Sequence, residues 1–113
     1  MDCIFCQIAN KKTPSKLLYD DEHIVAFHDL YPKAPTHILI IPKKHLHSLN
    51  EAALIDQQLL GHMMLSAQKL AKALGHDQAG FRLVMNTGPE GGQTVFHIHL
   101  HLLAGKTMHW PPG

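Results

Sequence analysis

The segment VFHIHLHLLAG, residues 95–105, constrains the fold most strongly because histidines alternate in it with large apolar residues. Period-two alternation is typical of a β-strand with one buried face. It sets His97, His99 and His101 on one face and the intervening Ile and Leu side chains on the other. Same-face residues lie about 6.5–7 Å apart, so the backbones of His97 and His101 are roughly 13 Å apart. All three imidazoles are therefore not expected to bind one metal ion.

Four other segments show the apolar richness or the alternation of strands. Together with the histidine segment they predict five strands, over residues 16–21, 23–29, 36–42, 81–86 and 96–104. CIFCQIAN, residues 3–10, predicts a short helix near the N-terminus. Strands and helices do not alternate regularly, so the sequence favours an α+β fold with an antiparallel sheet over a doubly wound fold.

One long helix is predicted between the third and fourth strands, over residues 48–75. Ser48 with Glu51 three residues later has the pattern of a capping box, and Gly75 is typical of a helix end. Seven apolar residues follow helical spacing and predict a stripe that covers one face of the sheet: Leu60, Met63, Met64, Ala67, Leu70, Ala71 and Leu74. We interpret the methionines as core residues rather than as part of a cofactor site.

Composition and charge exclude several classes of partner. Ten basic against nine acidic residues provide no basic surface for a nucleic acid polymer or an anionic membrane. No segment has the length of a membrane span or the pattern of a signal peptide, so we expect a cytoplasmic protein of one domain, residues 1–113. Thiols stay reduced in that compartment, which favours Cys3 and Cys6 as metal ligands or redox groups over a disulfide. Eleven histidines point to chemistry instead.

The residues alone leave two other interpretations of the histidine strand open. Two adjacent histidines of a His-x-His pair can chelate a metal, because their imidazole arms converge. The alternative is a polar strand face without chemistry, although imidazole is a poor choice where Thr or Lys would serve.

HIHLHLL resembles the His-φ-His-φ-His-φ-φ signature of the histidine triad superfamily, where φ is an apolar residue. Three longer blocks, GGQTVFHIHLHLLAG, AFHDLYPKAPTHILIIPKKH and MHWPPG, are similar to its Hint branch, the histidine triad nucleotide-binding proteins. They occur in the same order and span nearly the whole chain. The resemblance implies a five-stranded antiparallel sheet with helices, a homodimer, and binding of purine nucleoside monophosphates.

The same resemblance implies a covalent mechanism. His99 corresponds to the nucleophile that forms a nucleotidyl-histidine later cleaved by water. His97 and His101 would orient it, contact phosphate oxygens and help to carry a proton to the leaving group. His37 matches a further active-site histidine that would close this relay; the alternative is a histidine satisfied within the core.

Further positions are expected to bind the nucleotide. GPEGGQTV offers Gly91 and Gly92 for a close approach of backbone to phosphate, although many turns are equally glycine-rich. The resemblance adds these phosphate-pocket and polar contacts: Asn86, Gln93, Thr94 and Val95. Thr94 and Ala104 depart from the serine and glycine frequent in the family, and neither departure is expected to abolish activity.

Asp29 is assigned to the ribose, because a carboxylate accepts hydrogen bonds from two vicinal hydroxyls. The alternative is that Asp29 only starts the turn before YPKAP. Phe27, His28 and Leu30 would wall the base, with Ile4 or Ile8 as additions. Apolar walls do not distinguish adenine from guanine.

Cys3 and Cys6 supply half of a tetrahedral zinc site in the pattern Cys-x2-Cys. In superfamily members with this pair, the site is completed by histidines that match His45 and His97. Structural zinc at His97 would leave His99 free as nucleophile. Many Hint-branch relatives lack these cysteines, and reduced, metal-free thiols are the alternative.

The leading hypothesis is a purine nucleoside phosphoramidase that hydrolyses the P–N bond of AMP joined to an amine or lysine, with no organic cofactor. Dinucleoside polyphosphate hydrolysis, a hydrolase using zinc-bound water and a non-catalytic nucleotide-binding module are the alternatives. Trp110, the only tryptophan, is expected to reach the partner subunit near its active site and to select the leaving group. It packs on its own subunit in the competing interpretation.

Overall fold

The computed structural model of the chain describes residues 3–13 and 15–113. Its helices and strands, in chain order, are α1 Ile4–Ala9, β1 Leu17–Asp20, β2 Ile24–His28, β3 Thr36–Pro42, α2 Gln57–Ala73, β4 Phe81–Val84 and β5 Leu100–Ala104. The five strands form one antiparallel sheet in the order β1-β2-β3-β5-β4. The predicted α+β architecture, with five strands, one long helix and a short N-terminal helix, is confirmed.

One face of the sheet packs against α2. The apolar residues of this face alternate along the central strands and are fully or almost fully buried: Ile24, Ala26, Ile38, Ile40, Leu100 and Leu102. From α2, Met63, Ala67 and Ala71 lie at intervals of four residues and pack against them. The two alanines allow the helix to approach the sheet closely. Of the two apolar clusters on the sheet, the one on this face is the larger.

The other face of the sheet is covered only in part, by α1. Phe5 and Ala9 of α1 pack on a second cluster from β2 and β3: Val25, Phe27, Leu39 and Ile41. The strand register aligns one residue from each strand in a row on this face: Leu17, Phe27, Leu39, His101 and Val84. The part of this row beyond α1 remains open and becomes the floor of a cleft.

The histidine strand is shorter than predicted. It was expected over 96–104, but β5 begins at Leu100, so only His101 of the three histidines lies in it. Continuing the register would place Ile98 opposite Pro42, which has no backbone N–H for the ladder. Ile98 N instead donates to Leu46 O at 2.7 Å, and the segment bends there. His97 and His99 therefore leave the regular strand before β5 starts.

The long helix also begins later than predicted. Ser48 Oγ accepts a hydrogen bond from Asn50 N, but it caps only a 3-10 turn, Leu49–Glu51. Glu51 accepts from His47 N rather than from Ser48, so the predicted capping box does not form. The chain is then extended at Ala52 and Ala53.

Asp56 precedes the true start of α2. Its buried carboxylate accepts hydrogen bonds from Ala53 N at 3.0 Å and from Lys44 Nζ at 2.6 Å, which closes a second 3-10 turn, Leu54–Asp56. The helix then runs from Gln57 to Ala73, and Gly75 follows with the positive φ of 84° that suits glycine. Within residues 3–13 and 15–113, none of the helices has the length and apolar character that crossing a membrane requires.

Two members of the predicted apolar stripe face solvent: Met64 is 50% exposed and Leu74 44%. Met63, by contrast, is 1% exposed.

These adjacent methionines provide a matched test of the packing. We expect Met63→Ala to lower the free energy of unfolding by about 2–5 kcal/mol, because it leaves a cavity between α2 and the sheet. Met64→Ala should change it by less than about 0.5 kcal/mol. Equilibrium urea unfolding measures both, and equal losses would contradict this packing.

Candidate functional site

A cleft of about 870 Å³ opens on the α1 face of the sheet. His37, His99 and His101 line it together with Asp29. The strand register explains this meeting, because His37 of β3 lies opposite Leu103, and Leu39 lies opposite His101. Residues far apart in sequence are therefore neighbours across two paired strands.

His99 is held in one tautomer. Its Nδ1 lies 2.7 Å from the carbonyl oxygen of His97, and a carbonyl only accepts, so Nδ1 carries the proton. Nε2 then has a free lone pair. The ring is 6% exposed and lines the cleft, with the ring of Phe5 edge-on at 5.2 Å between centroids. Such a fixed, unprotonated nitrogen has the properties of a nucleophile.

A chain of hydrogen bonds also fixes the protons of His37 and His101. Lys33 N donates to His37 Nδ1 at 3.0 Å, so the proton of neutral His37 resides on Nε2. That nitrogen is 2.8 Å from His101 Nδ1 and donates to it. His101 consequently carries its own proton on Nε2, where it can donate a hydrogen bond to a ligand.

Burial keeps both of these rings neutral. It lowers the pKa of His101 to about 4, and the neighbouring rings of His99 and His37 add to the effect. Burial also lowers the pKa of His37; Asp29 opposes this shift, and the Lys33 ammonium reinforces it. One proton, carried by His37 Nε2, therefore lies between His37 Nε2 and His101 Nδ1, and there is no room for a second.

Asp29 has one oxygen engaged in a turn. Its Oδ1 accepts from Tyr31 N at 2.8 Å, which is the turn considered as the alternative role for this residue. Its Oδ2 lies 3.4 Å from His37 Nε2, and the residue lines the cleft. The turn and a ligand contact through Oδ2 are therefore compatible.

One end of the cleft is apolar. Its walls come from α1, from the sheet and from the segment before β5: Ile4, Phe5, Ile8, Phe27, Leu39 and Val95. His28 and Leu30 also line the cleft but are exposed, Leu30 at 87%. A flat aromatic group can be sandwiched at this end, while charged or polar groups face the histidines. Sequence reasoning missed Phe5, whose signal was an apolar residue between the two cysteines.

The glycine-rich turn contributes only some of its predicted residues to the cleft. Gly92, Thr94 and Val95 line it, as does Asn86, which lies between β4 and the turn. Gly91 serves the turn itself, because a Cβ there would lie 2.3 Å from Thr87 O. Gly92 adopts a φ of 82°, in the region that favours glycine.

Two predicted ligand residues lie outside the cleft lining. Gln93 is buried, and its amide is fully used within the protein: Nε2 donates to His47 O and Val95 O, and Oε1 accepts from Gly88 N. Trp110 is 82% exposed, so it does not pack on its own subunit. Its predicted contact with a partner subunit stays a prediction.

A Cys–His cluster brings together the four predicted metal ligands, Cys3, Cys6, His45 and His97. All four ligand atoms lie within 4.8 Å of one another. His45 Nδ1 is 3.1 Å from His97 Nδ1, and the Sγ–Nδ1 distances of 3.2–3.5 Å link both free thiols to these rings. The edges of a tetrahedral zinc shell with these ligands are roughly 3.3–3.8 Å long. The donor set and its spacing therefore fit Zn²⁺.

His97 connects the two clusters. Its ring is fully buried, and Nε2 donates to Pro42 O at 2.8 Å, which leaves the lone pair of Nδ1 directed at the cysteines. Its backbone carbonyl orients His99. Both ring nitrogens thus face away from the cleft. The sequence-based expectation that the His97 ring contacts a phosphate oxygen is therefore wrong.

Comparison with known proteins agrees with the geometry. The family model described as the HIT domain matches residues 10–108. The chain belongs to the HIT domain family. It is 50% identical, over 99% of its length and 97% of the relative, to an uncharacterized HIT-like protein of Synechocystis. It is similar to the crystal structure of a HIT family hydrolase from Legionella pneumophila, with 49% identity, a TM-score of 0.97, and coverage of 99% of this chain and 100% of that chain.

Two less similar members of the HIT family carry informative names. A histidine triad nucleotide-binding protein from Candida albicans is 31% identical with a TM-score of 0.83, covering 97% of this chain and 83% of that one. A zinc-bound histidine triad family protein from Mycobacterium smegmatis is 32% identical with a TM-score of 0.83, covering 94% and 76%. The fold is thus shared with proteins named for a nucleotide and for zinc.

The hydrogen-bond chain predicts the tautomers of the histidines. At pH 7 we expect the proton of His99 on Nδ1 and those of His37 and His101 on Nε2. The His101 imidazole should remain neutral as the pH falls below 6.5 and titrate near 4. Long-range ¹H–¹⁵N correlation spectra of histidine-labelled protein measure both properties. A His99 proton on Nε2, or a His101 midpoint near the unperturbed value of about 6.5, would contradict the assignment.

Proposed function

We propose that this HIT protein is a hydrolase of purine nucleoside 5′-phosphoramidates, cleaving the P–N bond between the nucleotide and an amine. The observation that carries the proposal is the hydrogen bond from His99 Nδ1 to the His97 carbonyl, which in the neutral ring leaves the lone pair of Nε2 free, in a cleft that His101 also lines. The apolar end of that cleft suits a purine. The Legionella and Candida relatives, named as a hydrolase and as a nucleotide-binding protein, support the proposal.

In the first step, His99 Nε2 attacks phosphorus and the P–N bond to the amine breaks. The amine leaves with the electron pair and takes up a proton from solvent at the open cleft. His99 keeps its Nδ1 proton on the His97 carbonyl, which stabilises the positive charge on the modified ring. The product is a nucleotidyl-histidine.

In the second step, water attacks phosphorus and the bond to His99 breaks. Water loses a proton, which balances the one taken up by the amine, and the nucleoside monophosphate is released. We assign His101 Nε2–H to a hydrogen bond with a phosphoryl oxygen in both steps. His101 Nδ1 already accepts the Nε2 proton of His37, so His101 has no free lone pair for a further proton. We therefore assign the pair to positioning and to charge stabilisation rather than to proton transfer.

The other groups of the cleft bind the substrate. We assign Oδ2 of Asp29 to the ribose hydroxyls, and Phe27, His28 and Leu30, with Ile4 and Ile8, to the walls around the base. We assign the phosphate contacts to Thr94, to the backbone around Gly92 and Val95, and to Asn86 just after β4, all of which line the cleft. The apolar walls contact only the faces of a base, so they do not distinguish adenine from guanine.

We further propose that Cys3, Cys6, His45 and His97 hold a structural zinc ion. Zinc would supply a cross-link between α1, the loop after β3 and the segment before β5. Four protein ligands complete a tetrahedral shell and leave no position for an activated water, which disfavours the zinc-water hydrolase. The zinc-bound Mycobacterium relative supports the site.

The nucleophile is tested by His99→Asn. The amide cannot form the covalent intermediate, so kcat for an adenosine phosphoramidate should fall at least about a thousandfold while AMP still binds. His23→Asn changes an exposed histidine outside the cleft and should retain activity. Steady-state kinetics and mass spectrometry of quenched enzyme measure the rate and the nucleotidyl adduct. Near-wild-type turnover by His99→Asn would remove His99 from this role. AMP binding without any turnover by the wild type would favour the non-catalytic module.

The ribose contact is tested by Asp29→Ala. Hydrogen bonds to a charged group contribute about 1.5–3 kcal/mol, so AMP affinity should fall about ten- to a hundredfold. The 2′,3′-dideoxy analogue lacks both hydroxyls and should lose little affinity. Calorimetric titration of both ligands against both proteins makes the comparison. Equal losses for the two ligands would show that Asp29 acts only through the turn at Tyr31.

A further inference from the structure

Helix α1 contributes both to the Cys–His cluster and to the wall of the cleft. Cys3, its N-cap residue, and Cys6 within it point to His45 and His97. Ile4 and Ile8 line the apolar end of the cleft. The same six-residue helix therefore presents thiols on one side and a wall for the base on the other.

Apart from the Cys–His cluster, the described residues make few contacts that hold α1 in place. Isolated helices shorter than about 12 residues are marginal in water, and α1 has six. It has no acidic residue in its first turn and no basic residue in its last, so charged side chains within the helix do not stabilise its ends. Only Phe5 and Ala9 of the helix are buried. Its position on the sheet thus depends on this small apolar contact, on the Cys–His cluster and on an exposed ion pair between Lys11, just after the helix, and Asp20 of β1.

Phe5 couples the helix to the rest of the cleft. Its ring lies edge-on to Phe27 at 5.7 Å, to His97 at 6.0 Å and to His99 at 5.2 Å between centroids. Movement of α1 away from the sheet would remove the base wall and the contact of Phe5 with His99. Asp29, His37 and His101 are positioned by β2, β3 and β5 and by their own hydrogen bonds. None of these hydrogen bonds involves a residue of α1.

We propose that metal binding to Cys3, Cys6, His45 and His97 raises the affinity of the cleft for the base of a nucleotide by fastening α1 to the sheet. This inference rests on the proposed nucleotide-binding function. Metal and base both bind best when α1 is docked, so each stabilises the state that the other needs. Linkage requires the two ligands to raise each other's affinity by the same factor.

The experiment compares zinc-loaded and zinc-free protein in calorimetric titrations with AMP and with ribose 5-phosphate. The zinc-loaded protein should bind AMP about tenfold more tightly than the zinc-free protein, a coupling within the usual range. Ribose 5-phosphate lacks the base and should bind both forms equally. Conversely, saturating AMP should raise Zn²⁺ affinity by the same factor, measured from zinc-loaded protein by competition with a chromophoric chelator.

Variants locate the coupling. Ile8→Ala removes part of the base wall and leaves the four ligands intact, so it should weaken AMP binding to zinc-loaded protein and reduce the coupling factor. Ile55→Ala removes an isoleucine that is 84% exposed outside the cleft and should leave both unchanged. Hydrogen exchange of the α1 amides should be slower with zinc than without it.

Each outcome decides between the two proposals. If zinc-loaded protein does not bind AMP, the proposed function is overturned. If it binds AMP with no difference between zinc-loaded and zinc-free forms, only the coupling is overturned. An equal effect of zinc on ribose 5-phosphate would show that the metal acts on the whole cleft and not through the base wall. If zinc-free protein does not fold, Cys3→Ala takes its place in the same titrations, because it removes one of the four ligands and leaves Phe5 and Ala9 packed on the sheet. It should bind AMP more weakly and ribose 5-phosphate equally, and unchanged AMP binding would overturn the coupling.

Discussion

The site depends on the buried hydrogen bond from His97 Nε2 to the carbonyl of Pro42. Pro42 ends β3 and has no N–H with which to continue the ladder, so a side chain takes the carbonyl that a strand partner would otherwise share. This bond sets the lone pair of His97 Nδ1 towards the cysteines. It also holds the bend in which the backbone carbonyl of His97 fixes the tautomer of His99. One contact thus serves both clusters.

The sheet separates stability from chemistry by its two faces. The face under α2 is filled with aliphatic side chains and two closely packed alanines, Ala67 and Ala71. The face under α1 is only partly covered, and its central row passes from Leu17 through Leu39 to His101. A six-residue helix cannot cover five strands, so a cleft with an apolar end and a histidine end follows from the size of α1.

Apolar richness and alternation together identified the strands well, because the central strands pack one face against α2 and part of the other face against α1. Residues 36–42 were predicted as a strand and form β3 without change at either end. The start of α2 could not be predicted in this way. Ser48 and Glu51 have the local pattern of a capping box, but the side chain of Asp56 binds Ala53 N and Lys44, and this distant lysine helps to place the helix start at Gln57 instead of Ser48. Met64 fits the helical period but lies at the edge of the stripe, where the sheet does not reach it.

The sequence by itself determined which chemical groups are available and the local periods that make five strands and a long helix. The spacing of the histidine triad and of the cysteine pair also indicated these residues, whereas His37 and His45 were indicated only by the resemblance to the family. Only the tertiary structure decided the protonation and direction of those groups. The tautomer of His37 is set by Lys33 N, that of His99 by a carbonyl, and the direction of His97 by Pro42. Gln93 illustrates the same limit, because its predicted role as a ligand contact depends on an amide that the fold uses for its own turn. Backbone hydrogen-bonding groups have no signature in the sequence, so the partner each side chain finds is known only once the chain has folded.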